Sequence, residues 1–159
     1  MANFSELLET LHLVKGLDAV ADAFASTVAS DVVNMAGYED ILFVIHKGVG
    51  ATGTSTVTVE ACDDVTPTTT SAVPFTYRAI TTGDTEGALT QVSATGFTTT
   101  AGSSQLYAVQ VNAAALAASG YGYVRLKMVE VVDSPVLGGI LIVQGCPRYA
   151  QAVKPSTIV

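Results

Sequence analysis

The feature that most constrains the fold is a run of five large apolar residues at 41–45, ILFVI, which a glycine-rich segment follows. In a strand, successive side chains point to opposite faces, so this run places apolar side chains on both faces. Such a strand belongs in the middle of a sheet, or its second face is covered by another element. Residues 137–144 have the same doubly apolar character. We therefore predict that both runs form central strands.

A second strand is predicted at residues 54–61, where Val57, Val59 and Ala61 alternate with threonines and a glutamate. The period of two indicates one buried face and one threonine-rich face toward solvent or a partner. The glycine-rich residues 48–53 join the two strands, which is typical of a β-hairpin with an exposed, adaptable loop. These glycines match the G-x-G-x-x-G pattern, but a strand follows them where a dinucleotide-binding loop needs a helix, so that site is excluded.

The rest of the chain alternates between strand-like runs and turns. Further strands are predicted at residues 27–35, 73–81, 89–99, 105–111 and 121–132. A short helix is predicted near residues 112–118, with Asn112 as its N-cap and Gly120 at its end. This pattern predicts an all-β fold, an antiparallel two-sheet β-sandwich. Longer crossing loops favour a jelly-roll-like topology over an immunoglobulin fold, whose signature tryptophan is absent from the chain.

The two ends differ in composition from the middle of the chain. The predicted parts are an N-terminal arm (1–27), a β-sandwich domain (28–146) and an extended C-terminal tail (147–159). Within the arm, Ser5 is a candidate helix cap, and apolar residues follow it at helix-like spacing: Leu7, Leu8, Leu11 and Val14. The alternation around residue 12 also suits an extended edge strand. The sequence leaves open whether this segment packs on the sandwich or reaches a neighbouring subunit.

Charge and hydropathy exclude several classes of function. Hydrophobic residues make up 49% of the chain and charged residues 13%, about half the usual share. Two explanations account for this low charge content equally well: burial against other subunits, and a β protein that is rich in small residues. The net charge of −7, with seven scattered Lys and Arg, argues against direct nucleic-acid binding. The sequence lacks a basic amphipathic helix and an apolar run of membrane-spanning length, so we expect no membrane contact.

Side chains that carry chemistry are sparse. The N-terminus does not resemble a secretory signal, so we expect a cytosolic origin and reduced thiols at Cys62 and Cys146, both buried as small apolar residues. His12 and His46 are isolated, which favours structural roles. The acidic residues at 60, 63, 64, 84 and 86 do not have calcium-loop spacing, so we expect no metal. No hydrolase, zincin or P-loop motif is present, and we expect a non-enzyme without a cofactor.

Three segments resemble small structural proteins encoded in the head-gene clusters of tailed bacteriophages. They are SDVVNMAGYEDILFVIHKGVGATGTSTVTVEACDD, AVPFTYRAITTGDTEGALT and TTAGSSQLYAVQVNAAALAASGYGYVRLKMVEV, and they cover nearly all of the chain beyond about residue 27. The resemblance is one of sequence style around VTVEACDD and GYGYVRLK. It implies a capsid decoration (cement) protein, a β-sandwich that is often trimeric. Such a protein assembles in the cytoplasm of the bacterial host and sits on the outer face of the virion, where it bridges subunits of the major capsid protein.

For a protein of that kind, the ends of the chain are the candidate capsid or subunit contacts. They contain these apolar residues: Phe4, Leu7, Leu8, Leu11, Tyr149, Val153 and Ile158. Each of them could equally pack locally. The alternative function is that of a phage tail or neck protein, or a receptor- or carbohydrate-binding β-sandwich. A binding module of this type needs an exposed aromatic cluster, for which Tyr121 and Tyr123 are the compact candidates.

Overall fold

The structure is a computed structural model that describes residues 4–149 and 153–158. Within these residues the chain forms twelve strands and two short helices. In chain order they are α1 (Phe4–Thr10), β1 (His12–Val20), β2 (Thr27–Ala29), β3 (Val33–Asn34), β4 (Tyr38–Lys47), β5 (Thr54–Cys62), β6 (Thr70–Val73), β7 (Phe75–Ile80), β8 (Thr90–Val92), β9 (Phe97–Thr98), β10 (Gln105–Asn112), α2 (Ala113–Ala117), β11 (Tyr123–Val132) and β12 (Gly138–Pro147).

The strands form two antiparallel sheets of six strands each. Sheet A has the order β1-β12-β4-β10-β7-β8. Sheet B has the order β2-β11-β5-β6, with β3 also paired to β11 and β9 paired to β5. Successive strands cross repeatedly from one sheet to the other, as they do in jelly rolls. The predicted all-β, antiparallel two-sheet sandwich is therefore confirmed.

The hydrophobic core lies between the inner faces of the two sheets. From sheet A, Ile41, Phe43 and Ile45 of β4 are fully buried. Sheet B contributes the predicted inward-facing residues of β5 and β11, which are Val57, Val59, Ala61, Val124, Leu126 and Met128. The prediction of central strands is confirmed as well, because β4 lies between β12 and β10, and β12 lies between β1 and β4.

The predicted hairpin between β4 and β5 is wrong. The two strands are consecutive, but β4 pairs with β10 and β12 in sheet A, whereas β5 pairs with β11, β6 and β9 in sheet B. The glycine-rich residues 48–53 therefore cross from one sheet to the other. Both edges of β4 are occupied by strands from the second half of the chain, so no edge remains for β5. Alternation and loop composition locate a strand along the chain, but they do not identify the sheet to which it belongs.

The crossing segment is anchored to the chain, which differs from the adaptable tip predicted for it. The Gly48 N–H donates to the Leu137 carbonyl at 2.6 Å, and the Leu137 N–H donates to the Val49 carbonyl at 2.9 Å. At Gly53, a Cβ atom would lie 2.5 Å from the Ser134 carbonyl oxygen. Glycine is thus required where the crossing segment passes the backbone of residues 134–137. Only the middle of the segment, around Val49, is exposed.

Two further crossings between the sheets lie at Pro74, near the start of one predicted strand, and at Gly96, which interrupts another. Pro74 separates β6 in sheet B from β7 in sheet A, and proline is suited to such a corner because it cannot donate to a ladder. Gly96, with φ of +79°, separates β8 in sheet A from β9 in sheet B. A Cβ atom on Gly96 would lie 2.0 Å from the Val57 carbonyl oxygen. The irregular segment at residues 89–99 is therefore two short strands joined by a glycine turn.

The remaining local predictions have mixed outcomes. Helix α2 forms as predicted, and the Asn112 side chain accepts a hydrogen bond from the Ala114 N–H. The N-terminal segment divides between α1 and the edge strand β1, which pairs with β12. The division of the chain into arm, sandwich and tail stays a prediction. The cysteines differ, because Cys62 is buried whereas Cys146 is exposed. The expectation of two buried cysteines is therefore wrong for Cys146, which lies at the end of β12 beyond the core.

Polar residues close one end of the sandwich together with an aromatic stack. The rings of Tyr77 and Phe97 stack at 3.8 Å between centroids. The hydroxyl of the buried Tyr107 donates to Gln105 Oε1 at 3.0 Å and accepts from the Thr100 N–H at 3.0 Å. The buried Lys47 ammonium donates to the Thr100 carbonyl at 2.7 Å, and burial lowers its pKa. Each buried polar group named here therefore has a partner, as burial requires.

We predict that Gly53→Ala destabilises the protein through the crossing segment. The new methyl group overlaps the Ser134 carbonyl, and overpacking of this kind costs about 1–3 kcal/mol. Gly122→Ala is the matched control, because a Cβ there meets no atom within 4 Å and the change stays within about 0.5 kcal/mol. Urea denaturation of both variants measures the difference. Equal free energies of unfolding would contradict the proposed close approach.

Candidate interaction surface

The outer face of sheet A has an apolar centre, flanked by the exposed polar residues Lys15, His46 and Gln110. Because Ile41, Phe43 and Ile45 point into the core, the alternate residues Leu42 and Val44 point outward. In the strand register, Val143 lies next to Leu42 and Leu13 lies next to Val143, while Leu141 and Ala108 lie on either side of Val44. We call this set, together with Leu106, the sheet A surface.

This surface is open in the described part of the chain. Leu13 is 53% exposed and Leu141 is 43% exposed, so neither is covered by a described element. Leu42, Val44 and Val143 are half-buried by their neighbours on the same face. A contiguous exposed apolar patch on a folded domain commonly marks a contact with another molecule.

A concavity of about 530 Å³ lies within the sheet A surface. Its apolar floor includes Val44, Leu106 and Leu141, which come from β4, β10 and β12. Polar residues line it as well, and they are Lys15, Asp18 and His46. Lys15 and Asp18 form an exposed ion pair at 3.2 Å. The structure therefore places His46 on an exposed face and not in a buried structural role.

The outer face of sheet B is more polar than the sheet A surface, although Val129, Val131 and Val132 at the end of β11 are also exposed. Threonines at 54, 56 and 58 of β5 point outward, as predicted, and the Thr56 and Thr98 hydroxyls are hydrogen bonded at 3.1 Å. Val129 of β11, which is 39% exposed, lies beside Thr56 on this face. The prediction of a threonine-rich outer face is confirmed.

An ion cluster lies on the same outer face, between β5 and β11. Glu60 accepts from Arg125 Nη2 at 2.7 Å through Oε2 and from Lys127 Nζ at 3.0 Å through Oε1. Burial alone raises the pKa of Glu60, but the hydrogen bonds and charges of Arg125 and Lys127 outweigh it and hold the pKa below its usual value. Glu60, one of the acidic residues considered above as cation ligands, is thus paired with two basic side chains.

The structure brings several of the predicted contact residues together. Lys154 Nζ donates to the carbonyls of Leu8 and Leu11, so the C-terminal segment lies against α1. Ile158 shares a small cavity with Leu13 of β1. Five of the predicted contact residues have exposed side chains, and they are Leu7, Leu8, Tyr149, Val153 and Ile158. Leu11 is half-buried, and the side chain of Phe4 lies outside the described residues. A role of these seven residues in an interface stays a prediction.

Sequence reasoning did not select Leu13 and Leu141 as contact residues. The doubly apolar run at 41–45 did require a cover for its second face, and this run was the available indication of the sheet A surface. What the sequence could not supply was the pairing that places β1, β10 and β12 beside β4.

Other kinds of site have little support in the described residues. Within residues 4–149 and 153–158, no group of three His, Cys, Asp or Glu side chains is positioned to hold a metal ion. Neither helix in the described part of the chain is long and apolar enough to cross a membrane. Tyr121 and Tyr123 are half-buried, and Tyr121 packs against the core. These two rings therefore do not form an exposed aromatic platform.

Comparison with known proteins finds only loose architectural likenesses. No family model and no curated protein matches the sequence. The SPBc2 prophage-derived protein YomS is similar in fold, with a TM-score of 0.46 and 11% identity over 86% of this chain and 93% of that protein. The VP2 subviral particle of infectious bursal disease virus has a TM-score of 0.28 and 13% identity over 92% of this chain and 44% of VP2. The structure of the Gx strain of that virus has a TM-score of 0.26 and 14% identity, over 87% of this chain and 42% of the viral chain.

We predict that Glu60→Gln destabilises the protein near neutral pH by about 1–2 kcal/mol, because Arg125 and Lys127 lose the charge of their shared partner. The folded pKa of Glu60 lies below the ordinary value of 4.5. Its stabilisation is therefore complete above that value and is lost as the pH falls through the folded pKa. Urea denaturation over a pH series measures this dependence.

Glu86→Gln is the matched control for Glu60→Gln. Glu86 pairs with Arg78, but both side chains are about half exposed, so the change is expected to cost less than about 0.5 kcal/mol at any pH. A difference between wild type and Glu60→Gln that does not shrink on acidification would contradict the electrostatic role of Glu60.

Proposed function

We propose that this chain is a non-enzymatic structural protein of a virion, a capsid decoration or cement protein that binds the major capsid protein and bridges its subunits on the head surface. The observation that carries the proposal is the sheet A surface, which is an apolar sheet face with Leu13 and Leu141 exposed. The sequence style shared with phage head proteins supports the choice of partner. Assembly in the cytoplasm of a bacterial host is part of the same proposal.

The two outer faces suit a protein that attaches by one side. The sheet A surface supplies apolar contact area, and the residues around its concavity carry charges of both signs. Sheet B presents threonines and an ion cluster in which Glu60 pairs with two basic side chains, a surface compatible with water. Attachment through sheet A would cover the second apolar face of β4. The doubly apolar run at residues 41–45 requires such a cover.

We further propose that the protein acts as a homotrimer. The low charge content of the chain, 13%, and the exposed leucines at α1 are compatible with contacts between copies. A threefold arrangement joins two different patches of neighbouring copies, so the terminal segments of one copy would meet the body of the next. Light scattering after size exclusion measures the mass in solution, and a strict monomer at all concentrations would exclude this part of the proposal.

The alternative of a tail, neck or carbohydrate-binding protein makes a different demand. A sugar-binding surface needs exposed aromatic faces, whereas Tyr77, Phe97 and Tyr107 are used in the stack that closes the sandwich. Copy number in purified virions separates head from tail. We expect a number comparable to that of the major capsid protein, and a handful of copies at the tail would overturn the decoration role.

We predict that Leu141→Glu weakens binding to shells of the major capsid protein at least about tenfold, because the new carboxylate would lose its hydration at the contact. Lys15 lies opposite Leu141 in the strand register, so the new carboxylate has a partner in the free protein and folding is preserved. Co-sedimentation of labelled protein with empty shells measures the affinity.

Val129→Glu is the matched control on sheet B. Val129 is 39% exposed and Leu141 is 43% exposed, and both lie on long strands. We expect Val129→Glu to bind shells as the wild type does. Equal binding by both variants, or equal loss in both, would contradict attachment through the sheet A surface.

A further inference from the structure

One end of the sandwich carries exposed aliphatic side chains that belong neither to the core nor to the sheet A surface. They come from the end of β1, from the crossing segment and from residues 131–137. The side chains are Val20, Val49, Val131, Val132 and Leu137, and we call this set the end patch. Val49 is the most open of them, with 71% of its surface exposed. A cluster of exposed apolar side chains on a folded domain commonly marks a contact with another molecule.

Backbone pairing brings the residues of the end patch to the same end of the molecule. Val20 is paired with the first residue of β12, directly after Leu137. The Leu137 N–H donates to the Val49 carbonyl at 2.9 Å. Val132 is paired with the first residue of β5, where the crossing segment ends. The end patch therefore joins the ends of both sheets.

The end patch is held in place by the backbone beneath it. The Gly48 N–H donates to the Leu137 carbonyl at 2.6 Å, next to the bond between Leu137 and Val49. The Ala23 N–H donates to the Val136 carbonyl at 3.0 Å, which fixes the segment that follows β1. A surface that is fixed before binding loses little conformational freedom when a partner arrives.

Carboxylates surround the end patch. Asp22 and Asp133 are exposed and lie close to patch residues in the chain. Glu130 is half-buried, and its carboxylate accepts a hydrogen bond from the Ser26 N–H at 2.7 Å. All three groups lie where β1 and β11 end, so the border of the patch is acidic.

The basic side chains toward this end of the sandwich are already engaged. Lys47, at the end of β4, is buried and donates to the Thr100 carbonyl at 2.7 Å. Lys15 of β1 and Arg78 of β7 are each paired with a carboxylate on the surface. Within the described residues, the acidic border of the end patch thus has no basic partner.

We propose that the end patch is a second contact with the capsid, and that it binds a segment of a neighbouring capsid subunit in which Lys or Arg flanks apolar side chains. Opposite charges at the rim favour such a partner. Two end patches facing each other would instead place carboxylates against carboxylates. The inference rests on the capsid-binding role proposed above and names the surface through which a second subunit is held.

Bridging requires a second contact of this kind. A protein that holds two subunits together needs two separate surfaces, and the sheet A surface supplies one of them. The face of a sheet and the ends of its strands point in different directions, so the end patch meets the subunit beside the one that sheet A covers. Val20 and Leu137 adjoin sheet A, so both contacts can be made from one side of the sandwich.

Charge reversal at the border of the end patch tests the second contact. In the double variant Asp22→Lys and Asp133→Lys, the sheet A surface is unchanged. We expect its binding to empty shells of the major capsid protein to be at least about tenfold weaker at low salt, because the new lysines face a basic segment. Wild-type binding weakens as salt screens the attraction, whereas binding of the variant does not. Co-sedimentation at low and high salt measures both effects.

The matched control is the double variant Glu39→Lys and Asp64→Lys. Both residues are exposed, and they lie at the opposite ends of β4 and β5. The change of net charge is the same, and we expect binding to shells and its salt dependence to match those of the wild type.

Val49→Asn tests the apolar part of the contact without a change of charge. We expect several-fold weaker binding to shells at low and at high salt, because the contact loses its most open aliphatic side chain. Leu89→Asn is the control, since Leu89 is 58% exposed and precedes β8, on the edge of sheet A opposite β1. Equal binding by both variants would contradict an apolar contact at the end patch.

The outcomes separate this inference from the proposed function. If the wild type does not bind shells, the capsid-binding role fails, and the second contact fails with it. If Leu141→Glu loses binding while the charge-reversed end variant binds as the wild type does at every salt concentration, attachment through sheet A stands and the second contact alone is overturned. Tighter binding by that variant would exclude a basic partner. If charge reversal instead changes the mass of the free protein in light scattering, the end patch lies between copies, and the capsid contact is overturned.

Discussion

The structure depends on how β4 satisfies two faces and two edges at once. Its backbone is paired with β12 on one edge and with β10 on the other, and its inner side chains Ile41, Phe43 and Ile45 fill the core of sheet A. Both edges and one face are therefore satisfied within the chain. The outer face, with Leu42 and Val44, is the part of β4 that the described fold leaves open. The proposed attachment surface is therefore the one side of β4 that the described fold does not cover.

The same constraint gives the molecule two dissimilar sides. Sheet A presents aliphatic side chains to the outside, whereas sheet B presents threonines and the Glu60 cluster. On sheet B, Arg125 and Lys127 share the single negative charge of Glu60, which leaves the cluster with one positive charge. Because the outer faces of the two sheets differ, the two sides of the sandwich are chemically different. A protein of the proposed role needs this difference, because it must bind the capsid through one side without recruiting a further layer of molecules on the other.

Much of this architecture was predictable from local pattern. Alternation in β5 and β11 identifies their buried faces, and the composition of residues 112–120 identifies α2 and its cap. Sheet membership was not predictable, because crossing at residues 48–53, at Pro74 and at Gly96 depends on contacts between distant parts of the chain. The wrong hairpin is the clearest case, since its turn composition fits a hairpin but the edges of β4 are taken by β10 and β12.

The candidate sites divide in the same way. The need for a cover over residues 41–45 was visible in the sequence, whereas its neighbours Leu13 and Leu141 became visible only with the strand register. The hydrogen bond between Asn34 and Thr157 was hidden, because the two residues are far apart in sequence and neither belongs to a motif.

The position of β12 has a consequence for the time at which this fold can form. β12 is the last strand of the described residues, yet it lies between β1, the first strand, and β4. During synthesis, β1 and β4 must wait until β5 to β11 have been made before β12, which pairs with both of them, arrives. Pairings of such long sequence separation slow folding and prolong the exposure of strand edges. One edge of β4 therefore stays unpaired until β12 has been made, even after β10 has paired with the other edge, and this is the interval in which a chaperone would matter most.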